Sequence, residues 1–491
     1  MLNLQFTMPK NLMSTLNALI KKFSPNFTTD GKVLLCKICE KSVSFHRKFL
    51  VVQHIESATH QKALKRNQEK KSQMFLCDSV NQDRKSDYFA EMVEAFVSAN
   101  IPFWKLENKT FASFLAKYTG KETPSESTLR KNYVKVTYDN MMDYIRKQLN
   151  DKLIWVSMDE TIDLRGRYVA NAVVGILSSN KEDCKVYLVN SQILEKVNHN
   201  TIAAFFDDSL KLISENFDRS KVLLLVTDAA PYMIKAARGL QVLYSKMIHV
   251  TCVAHGLHRL VEYIRQYYQN IDNWVGNLKK IFIKAPSRVQ IFKEVAPDLA
   301  LPPKPVITRW GTWISTVNYS NENLTYLEDI LRHLNDDVTS VNLCKLISSN
   351  PIFKNNLAFI SGNYGYLPEI LDILQKRNAL LTESFSLLDK TVKSINEVKG
   401  HQGEEVSLKM QNILANNKGL EILRQIALIH AGEYIETHYS PKEITAFKYA
   451  PLVSCEVERS FSVYKDLLTC KRTNLSNENL KYHMVIACNT K

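Results

Sequence analysis

Two short apolar runs of this chain each end in an aspartate. Residues 153–158 precede Asp159, and residues 221–227 precede Asp228. The second run is apolar on both faces, which is typical of a central strand that is covered on both sides. A carboxylate at the end of a buried strand is costly to fold around unless it meets a cation. If Glu458, far along the chain, converges with the two aspartates, the three would form a magnesium site for cutting phosphodiester bonds.

The pattern around these runs predicts the topology of a sheet. Strand-like runs cover 152–158, 167–178, 185–194, 221–227 and 247–253, and helical patterns cover 200–217 and 230–245. The order β-β-β-α-β-α-β suits an RNase H-like mixed sheet, in which the first and fourth strands are neighbours. Asp159 and Asp228 would then lie side by side, and Glu458 on a later helix could complete the site. Because almost all of residues 255–440 has helical spacing, the expected fold class is α/β plus α.

Each acid also has an ordinary structural interpretation. Asp159 has rivals in Glu160 and Asp163. Asp228 could be only a turn residue or a helix N-cap, since aspartates are frequent at both positions. Glu458 taken alone would be an ordinary helix glutamate. Spacing alone therefore supports the catalytic and the structural interpretations about equally.

The N-terminal region carries metal-ligand spacing. The motif Cys36-x2-Cys39-x14-His54-x5-His60 has the residue types and intervals of a tetrahedral Zn²⁺ site. The cysteines would lie on a knuckle after a short strand, and both histidines on one helix. A unit of about 30 residues buries too little surface to fold alone, so the metal would supply folding free energy. The alternatives are two incidental cysteines, or His46 as a ligand in a shifted register.

The charge balance favours an anionic partner. The formal net charge is +14, and residues 1–75 alone hold 13 Lys/Arg and four Asp/Glu. Such a surplus is typical of nucleic-acid-binding proteins, because phosphate contacts dominate their affinity. The basic residues expected to contact DNA around the zinc unit are Lys41, Arg47, Lys48, Lys62, Lys65 and Arg66. The basic stretch at 62–71 is either a nuclear localisation signal or a solvated helix face.

Cysteine usage and hydropathy indicate an intracellular protein. Nine cysteines are scattered through the chain, and only Cys36 and Cys39 are close together, so a disulfide scaffold is not expected. The first residues lack the pattern of a signal peptide, and no apolar run approaches the roughly 20 residues that span a bilayer. We therefore expect a nuclear location and no membrane partner.

We expect seven segments along the chain. They are a lead-in at 1–30, a zinc unit at 31–62, a basic linker at 63–85, a helical DNA-binding or dimerisation domain at 86–150, the first part of the sheet domain at 151–264, a helical insertion at 265–440 and the last part of the sheet domain at 441–491. Apolar positions in the last segment form either a dimer interface or the core of a single chain. They are Phe447, Tyr449, Leu452, Phe461, Tyr464 and Leu468.

Five motifs resemble, in order, the segments of hAT-superfamily DNA transposases. They are Asp159-Glu-Thr161, residues 226–233, Cys252-Val-Ala-His255, Thr308-Arg-Trp310 and residues 457–462. Residues 471–480 resemble the end of the hAT C-terminal dimerisation region, and the zinc unit is similar to the BED-type fingers of these proteins. Residues 31–135 are similar to the CGG triplet repeat-binding protein family. One departure is Val457, since the family often has serine before the catalytic glutamate.

The resemblance implies an RNase H-like catalytic core that is interrupted by a helical insertion at 265–440. In this core, Asp159, Asp228 and Glu458 would hold Mg²⁺ or Mn²⁺. It implies cut-and-paste transposition through hairpins on flanking DNA. The partner would be double-stranded DNA with transposon terminal inverted repeats, and the protein would be a homodimer or a higher homo-oligomer. An intact triad does not prove activity, so the alternative is a domesticated, catalytically inactive DNA-binding transcriptional regulator.

The resemblance also assigns roles to residues around the triad. Trp310 matches the position that stacks on a flipped base, a contact that can repay the free energy of unpairing. Arg309 would contact phosphate, or pair with an acid. Cys252 and His255 match a pair that supports the active site. The structural alternatives are a core tryptophan and, for the pair, a zinc site with His258.

Overall fold

The computed structural model describes residues 10–23, 26–29, 33–71, 78–304, 311–335, 338–468 and 475–490. The chain divides into two compact units, residues 1–89 and residues 90–491. Each contains helices and a β-sheet, and the larger sheet has both parallel and antiparallel strands. The predicted mixed α/β class is therefore confirmed.

The smaller unit combines helices with a three-stranded antiparallel sheet. Its elements are α1 (Lys10–Phe23), β1 (Phe27–Thr29), β2 (Leu34–Cys36), β3 (Lys41–Val43), α2 (Lys48–Glu56) and α3 (Ala58–Lys71). β2 lies between β1 and β3 and pairs with both. The buried residues of its core are Leu16, Leu19, Phe27, Leu34, Cys36, Val43, Phe45 and Val51. The N-terminal lead-in therefore contributes α1 and β1 to the core that contains Cys36.

The helical segment that carries the two histidines is interrupted. α2 ends at Glu56 and α3 begins at Ala58, with Ser57 in extended conformation between them. The Ser57 hydroxyl donates to the carbonyl of His54 (2.7 Å) and accepts from the N–H of His60 (3.3 Å). A serine that bonds the backbone on both sides competes with the helical hydrogen bonds. The prediction of a single helix for both histidines is therefore wrong.

The segment that leads to the larger sheet is mostly helical, as its spacing predicts. α4 (Asp78–Ser98) precedes a 3₁₀ turn (Phe103–Glu107), α5 (Lys109–Thr119), α6 (Glu126–Thr128), a π-helical segment (Leu129–Tyr133) and α7 (Val134–Leu149). Ser125 is the N-cap of α6, and its hydroxyl accepts from the N–H of Thr128 at 3.1 Å. A new helical stretch therefore begins at Glu126.

A five-stranded mixed sheet lies in the larger unit. Its strands are β4 (Leu153–Ile162), β5 (Tyr168–Leu177), β6 (Val186–Leu194), β7 (Val222–Thr227) and β8 (Ile248–Thr251), in the spatial order β6-β5-β4-β7-β8. β5 is antiparallel to both of its neighbours, and β7 is parallel to both of its neighbours. α8 (His199–Lys211) precedes β7, and α9 (Pro231–Leu243) precedes β8. The predicted element order and the adjacency of the first and fourth strands are confirmed.

Asparagine side chains cap both edges of this sheet. On β8, Asn417 accepts from the N–H of Thr251 (3.0 Å) and donates to its carbonyl (2.6 Å). On β6, Asn489 makes the same two bonds with Leu188, at 3.0 and 2.8 Å. A side-chain amide has the donor and acceptor of a peptide group. Each asparagine therefore replaces one residue of a neighbouring strand and satisfies part of an otherwise open edge.

Helices make up most of the remaining described chain. They are α10 (Val253–Tyr267), α11 (Gln269–Phe282), α12 (Pro286–Val295), α13 (Thr312–Glu322), α14 (Leu324–His333), α15 (Thr339–Ser348), α16 (Pro351–Tyr364), α17 (Leu367–Leu374), α18 (Leu381–Glu397), α19 (His401–Ala415), α20 (Lys418–His430), α21 (Pro441–Ala446), α22 (Cys455–Leu467) and α23 (Asn477–Asn489). α22 lies against β4 and β5, and α23 packs on β6 and α7. Within the described ranges, no helix combines the length and the apolar character needed to cross a membrane.

The apolar side chains near α22 belong to the core of a single chain. Buried positions are Phe447, Leu452, Phe461, Tyr464 and Leu468, whereas Tyr449 is half-buried. The core alternative therefore describes these positions, and an interface between two copies would need other side chains.

Candidate metal sites

Four side chains of the smaller unit converge. Cys36 ends β2, Cys39 lies in the turn before β3, His54 is in the last turn of α2, and His60 is in the first turn of α3. His60 Nδ1 lies 3.5 Å from Cys36 Sγ, 3.2 Å from Cys39 Sγ and 3.3 Å from His54 Nε2. One ligand atom of each side chain lies within 4.8 Å of the other three. We call this set the thiol–imidazole cluster.

The thiol–imidazole cluster has the donors and the electrostatics of a Zn²⁺ site. Burial lowers the pKa of His54 and of His60, which favours the neutral imidazoles that bind cations. Burial and then the nearby Cys36 raise the pKa of Cys39, because a thiolate there has no sufficient counter-charge. His60 is fully buried, and in the described part of the chain its Nε2 has no hydrogen-bond partner. Two sulfurs and two ring nitrogens fit a tetrahedral Zn²⁺ ion.

The alternative ligand His46 does not join this set. Its side chain is exposed and stacks on Phe45, with ring centroids 5.1 Å apart. The spacing motif therefore identified the four side chains that the fold brings together, and His46 is a surface residue of the same unit.

Basic side chains are exposed on the smaller unit. Arg47, Lys48 and Lys65 are all exposed, whereas the side chain of Arg66 lies outside the described residues. Lys48 is close enough to Lys22 to lower the pKa of the Lys22 amine. Two ammonium groups at short range repel each other, and a bound anion would relieve that repulsion.

The larger sheet brings the two strand aspartates to the same level. Asp159 lies within β4, and Asp228 directly follows β7. β4 and β7 are parallel and in register at Ser157 and Val226, so that two residues further on Asp159 is level with Asp228. Glu458 is in the first turn of α22, the helix that lies against β4 and β5.

The closest group of ligand atoms at this point includes a histidine. Ligand atoms of Asp159, His255 and Glu458 all lie within 4.8 Å of one another, and His255 Nε2 is 3.4 Å from Glu458 Oε1. We call these three residues the carboxylate cluster. Asp228 lies outside the set, and its Oδ1 accepts the N–H of Ala230 at 3.1 Å. Asp228 is nevertheless close enough for its charge to contribute to the raised pKa of Asp159.

The carboxylate cluster is electrostatically unfavourable without a cation. Burial and then the adjacent Glu458 carboxylate raise the pKa of Asp159 well above its ordinary value. Two carboxylates in contact resist simultaneous ionisation, and a divalent cation between them removes the repulsion. Hard oxygen donors of this kind suit Mg²⁺ or Mn²⁺.

The two rival acids have partners of their own. Glu160 accepts a hydrogen bond from the Tyr232 hydroxyl, and burial raises its pKa. Asp163 accepts from the backbone and the guanidinium of Arg167, and from the Tyr464 hydroxyl at 3.1 Å. These bonds outweigh burial and lower the pKa of Asp163. Asp163 therefore stabilises the β4–β5 hairpin, whereas Glu160 faces the same cleft as the carboxylate cluster.

An open cleft leads to the carboxylate cluster. Its lining includes Asp159, Glu160, Thr161, Thr312, Asp372, Gln375, Glu458 and Arg459. Beside it, Arg377 makes two 2.7 Å bonds to the carboxylate of Glu456. Arg459 bonds the same carboxylate and donates to the Gln375 carbonyl at 2.8 Å. These bonds hold the start of α22, which carries Glu458, against the segment after α17.

A hydrogen-bonded group positions His255. Its Nδ1 is 3.4 Å from Ser454 Oγ, and Cys252 Sγ accepts the N–H of Ser454 at 3.2 Å. Burial alone would raise the pKa of the Cys252 thiol, but His255 and Ser454 lower it. Burial alone would lower the pKa of His255, but Cys252 and then Glu458 raise it. In the part of the chain that the structure describes, Cys252, His255 and His258 do not form a metal-ligand group.

Two predicted DNA contacts, Arg309 and Trp310, lie outside the described residues. The neighbouring Trp313 is a core side chain. It is 5% exposed, and its indole N–H donates to Asp272 Oδ1 at 3.2 Å. Trp313 is therefore not available to stack on a base.

Sequence reasoning assigned His255 to support of the site and missed its place in the closest ligand group. The order of the strands could have indicated that His255 lies beside the acids. β8 is parallel to β7, so the residues after β8 lie beside those after β7, and the Cys252 N–H donates to the Thr227 carbonyl at 2.7 Å. His255 follows three residues later, on the first turn of α10.

Two family models match separate segments of the chain. Residues 124–281 match a family described as a domain of unknown function, DUF659, and residues 11–66 match the CGGBP1 N-terminal domain. The first match contains β4 to β8 with Asp159, Asp228 and His255. The second contains the whole thiol–imidazole cluster and most of α1. The chain thus has one segment that is similar to the CGGBP1 N-terminal domain and a later segment that is similar to DUF659.

Two curated proteins are similar to this chain over part of its length. They are CGG triplet repeat-binding protein 1 of Mus musculus and of Homo sapiens, each 24% identical over 139 residues. The match covers 26% of this chain and 83% of each relative. The predicted resemblance to that family is confirmed, and both matches are consistent with a hAT-derived protein.

Proposed function

We propose that this protein binds double-stranded DNA through its smaller unit and cleaves it with a divalent cation as a hAT-type transposase. The observation that carries the proposal is the contact between Asp159 and Glu458. These two acids are 299 positions apart (458 − 159), and they meet beside an open cleft with like charge. Such an arrangement destabilises the metal-free fold and is typical of functional sites.

The strand order supports an RNase H-like core around these acids. A sheet ordered β6-β5-β4-β7-β8, with Asp159 on the central strand and Asp228 level with it, matches the expected topology. We assign Asp159, Asp228 and Glu458 as the residues that hold Mg²⁺ or Mn²⁺. A bound divalent cation stabilises the charge that develops on the phosphate and activates water or a 3′-hydroxyl. The chain itself contributes the positions of the three carboxylates.

The smaller unit supports DNA binding. A Zn²⁺ ion in the thiol–imidazole cluster would fix α2 and α3, which carry Lys48 and Lys65, and Arg47 directly precedes α2. The paired charges of Lys22 and Lys48 favour a phosphate. Residues 11–66 of this unit match the CGGBP1 N-terminal domain, and the curated relatives are named for binding CGG triplet repeats. We propose duplex DNA as the partner and the nucleus as the location.

Arg66, Arg309 and Trp310 complete the proposed DNA contacts. Arg66 would add a phosphate contact near Lys65, and Arg309 would contact phosphate beside the active site. Trp310 would stack on a base that leaves the duplex. The assignments of Arg309 and Trp310 rest on the hAT resemblance, and that of Arg66 rests on the basic charge around the thiol–imidazole cluster.

Cleavage of the protein's own transposon ends tests the catalytic proposal. Zinc-loaded protein with Mg²⁺ or Mn²⁺ should cut duplexes that carry the terminal inverted repeats flanking its gene, leaving hairpins on the flanking DNA. Asp228→Asn should abolish cleavage and retain DNA binding. Asp372→Asn, which changes an exposed acid on the wall of the same cleft, should retain both. Wild-type cleavage by Asp228→Asn would refute the assignment.

A catalytically inactive, DNA-binding transcriptional regulator is the second candidate. The specific observation in its favour is that the chain matches 83% of a relative that is named for DNA-repeat binding. Tight binding of inverted-repeat or CGG-repeat duplexes, with no cleavage in either metal, would favour the regulator over the transposase. A gene without flanking inverted repeats would favour it as well.

We also propose a homodimer or a higher homo-oligomer. The proposal rests on the resemblance of residues 471–480 to a hAT dimerisation region. Because the apolar side chains near α22 are core residues, we expect the contact to involve other surfaces. Light scattering coupled to size exclusion, with and without DNA, measures the number of chains.

A further inference from the structure

The start of α10 has a fixed position beside the acids. The Cys252 N–H donates to the Thr227 carbonyl (2.7 Å), and the Val253 N–H donates to the Leu452 carbonyl (3.0 Å). These two bonds attach the first turn of α10 to the end of β7 on one side and to the segment before α22 on the other. The His255 side chain therefore reaches the acids from a helix that is held at both sides.

The spacing of the three ligand atoms fits a single ion. Those of Asp159, His255 and Glu458 all lie within 4.8 Å of one another, with 3.4 Å between His255 Nε2 and Glu458 Oε1. An octahedral cation with ligands at about 2.1 Å places adjacent ligands about 3 Å apart and opposite ligands about 4.2 Å apart. One cation can therefore contact all three groups after small side-chain rotations.

We propose that His255 is a direct ligand of the same divalent cation as Asp159 and Glu458, so that the site prefers Mn²⁺ and similar transition ions to Mg²⁺. This inference rests on the proposed metal site and is independent of DNA cleavage. Metal-binding imidazoles are oriented by a partner on the other ring nitrogen. Here Ser454 Oγ lies 3.4 Å from Nδ1, on the side of the ring away from Glu458.

The donor set explains the expected selectivity. Mg²⁺ binds oxygen donors and keeps several of its waters, whereas imidazole nitrogen suits first-row transition ions. A site made only of carboxylates has no nitrogen donor, so the different affinities of Mn²⁺ and Mg²⁺ for nitrogen would not affect binding. With His255 on the ion, loss of the imidazole weakens Mn²⁺ binding more than Mg²⁺ binding.

Electron spin echo envelope modulation of bound Mn²⁺ tests the proposal directly, because it detects a coordinated ¹⁴N nucleus. Zinc-loaded full-length protein should show ¹⁴N modulation from its Mn²⁺. His255→Gln should lose the modulation and bind Mn²⁺ at least about tenfold more weakly, with a smaller change for Mg²⁺. His258→Gln, a half-buried histidine on the same helix, should leave both properties unchanged.

Asp159→Asn separates failure of this inference from failure of the metal site itself. If Asp159→Asn weakens Mn²⁺ binding but the wild type shows no ¹⁴N modulation, the carboxylates bind the ion and His255 does not. If Asp159→Asn leaves Mn²⁺ binding unchanged, the proposed acidic metal site fails as well. Modulation that persists in His255→Gln comes from another nitrogen and also overturns the proposal. Circular dichroism checks that every variant folds.

Discussion

The thiol–imidazole cluster and the carboxylate cluster are assembled in opposite ways. The first takes all its ligands from 25 consecutive residues (36 to 60), whereas the second joins residues from β4, α10 and α22. A local cluster depends on the spacing of its ligands along the chain. A distant one depends on which strands are neighbours and on what holds a remote helix against them. The comparison teaches why one site could be identified completely and the other only in part.

The two clusters also differ in what surrounds them. The thiol–imidazole cluster belongs to a unit with a small apolar core, and Cys36 is part of that core. The carboxylate cluster sits on a five-stranded sheet with a large core of its own. We therefore expect that removing Zn²⁺ unfolds the unit around the thiol–imidazole cluster. Removing the divalent cation from the carboxylate cluster should leave the sheet folded, with like charges that repel each other.

The largest expected effect follows from loss of Zn²⁺. Cys36→Ser, or chelation of Zn²⁺, should unfold residues 10–71, because apparent Zn²⁺ binding energies in such units are about 10–16 kcal/mol and are folding energies. Hydrogen exchange of this segment and the bound zinc content measure the effect. His46→Ala changes the exposed histidine of the same unit and should retain both zinc and protection. An unchanged exchange pattern in Cys36→Ser would show that the fold of the smaller unit does not depend on Zn²⁺.

A smaller effect concerns the bond that attaches α22 to the sheet. Asn171 on β5 is fully buried and donates to Ser460 Oγ at 2.7 Å, two residues from Glu458. Asn171→Ala should lower the free energy of unfolding by about 1–2 kcal/mol and should also weaken divalent-metal binding, because Glu458 loses its fixed position. Urea denaturation and Mn²⁺ titration measure the two effects.

The larger unit offers a matched control for this variant. Asn190 on β6 is also buried and donates to Ser209 Oγ of α8 at 3.1 Å. Asn190→Ala should destabilise the unit by a similar amount and leave metal binding unchanged. Equal losses of Mn²⁺ affinity in both variants would mean that general stability, and not the position of α22, controls the site.

The smallest expected effect is a gain in the free energy of unfolding, whereas the preceding variants lose stability. Because the pKa of Asp159 is raised in the metal-free fold, the folded state holds its proton more tightly than the unfolded chain. Stability from this group is complete below the ordinary pKa of 3.8 and falls as pH rises through the folded pKa. Asp159→Asn removes this loss and should stabilise the metal-free protein by about 1 kcal/mol at pH 7, at the expense of metal binding.

Tryptophan fluorescence during urea unfolding measures this prediction, since all five tryptophans lie within residues 90–491. Asp163→Asn is the contrasting variant. The pKa of Asp163 is lowered in the fold, mainly by hydrogen bonds from Arg167 that outweigh burial, so its replacement should destabilise the protein at pH 7. A destabilised Asp159→Asn would show that the carboxylates are held by structural partners and not by a cation.

Sequence patterns predicted the elements well and the contacts between them less well. The strands and their order along the chain followed from the apolar period. The break at Ser57 was missed, because a serine inside a helical pattern does not reveal that its hydroxyl bonds the backbone on both sides. The two edge asparagines, Asn417 and Asn489, were missed because nothing in their local sequence indicates a partner more than 100 residues away.

The sequence alone determined which four side chains form the thiol–imidazole cluster, the five strands and the placement of acids on β4 and after β7. These features can be read from the spacing of ligand-type residues and from the period of apolar side chains, because both are patterns within a few consecutive residues. Only the tertiary structure decided that Glu458 reaches Asp159 and that His255 joins them ahead of Asp228. Those contacts depend on the parallel pairing of β7 with β8 and on the docking of α22, both of which are set by packing between segments that are distant in the chain.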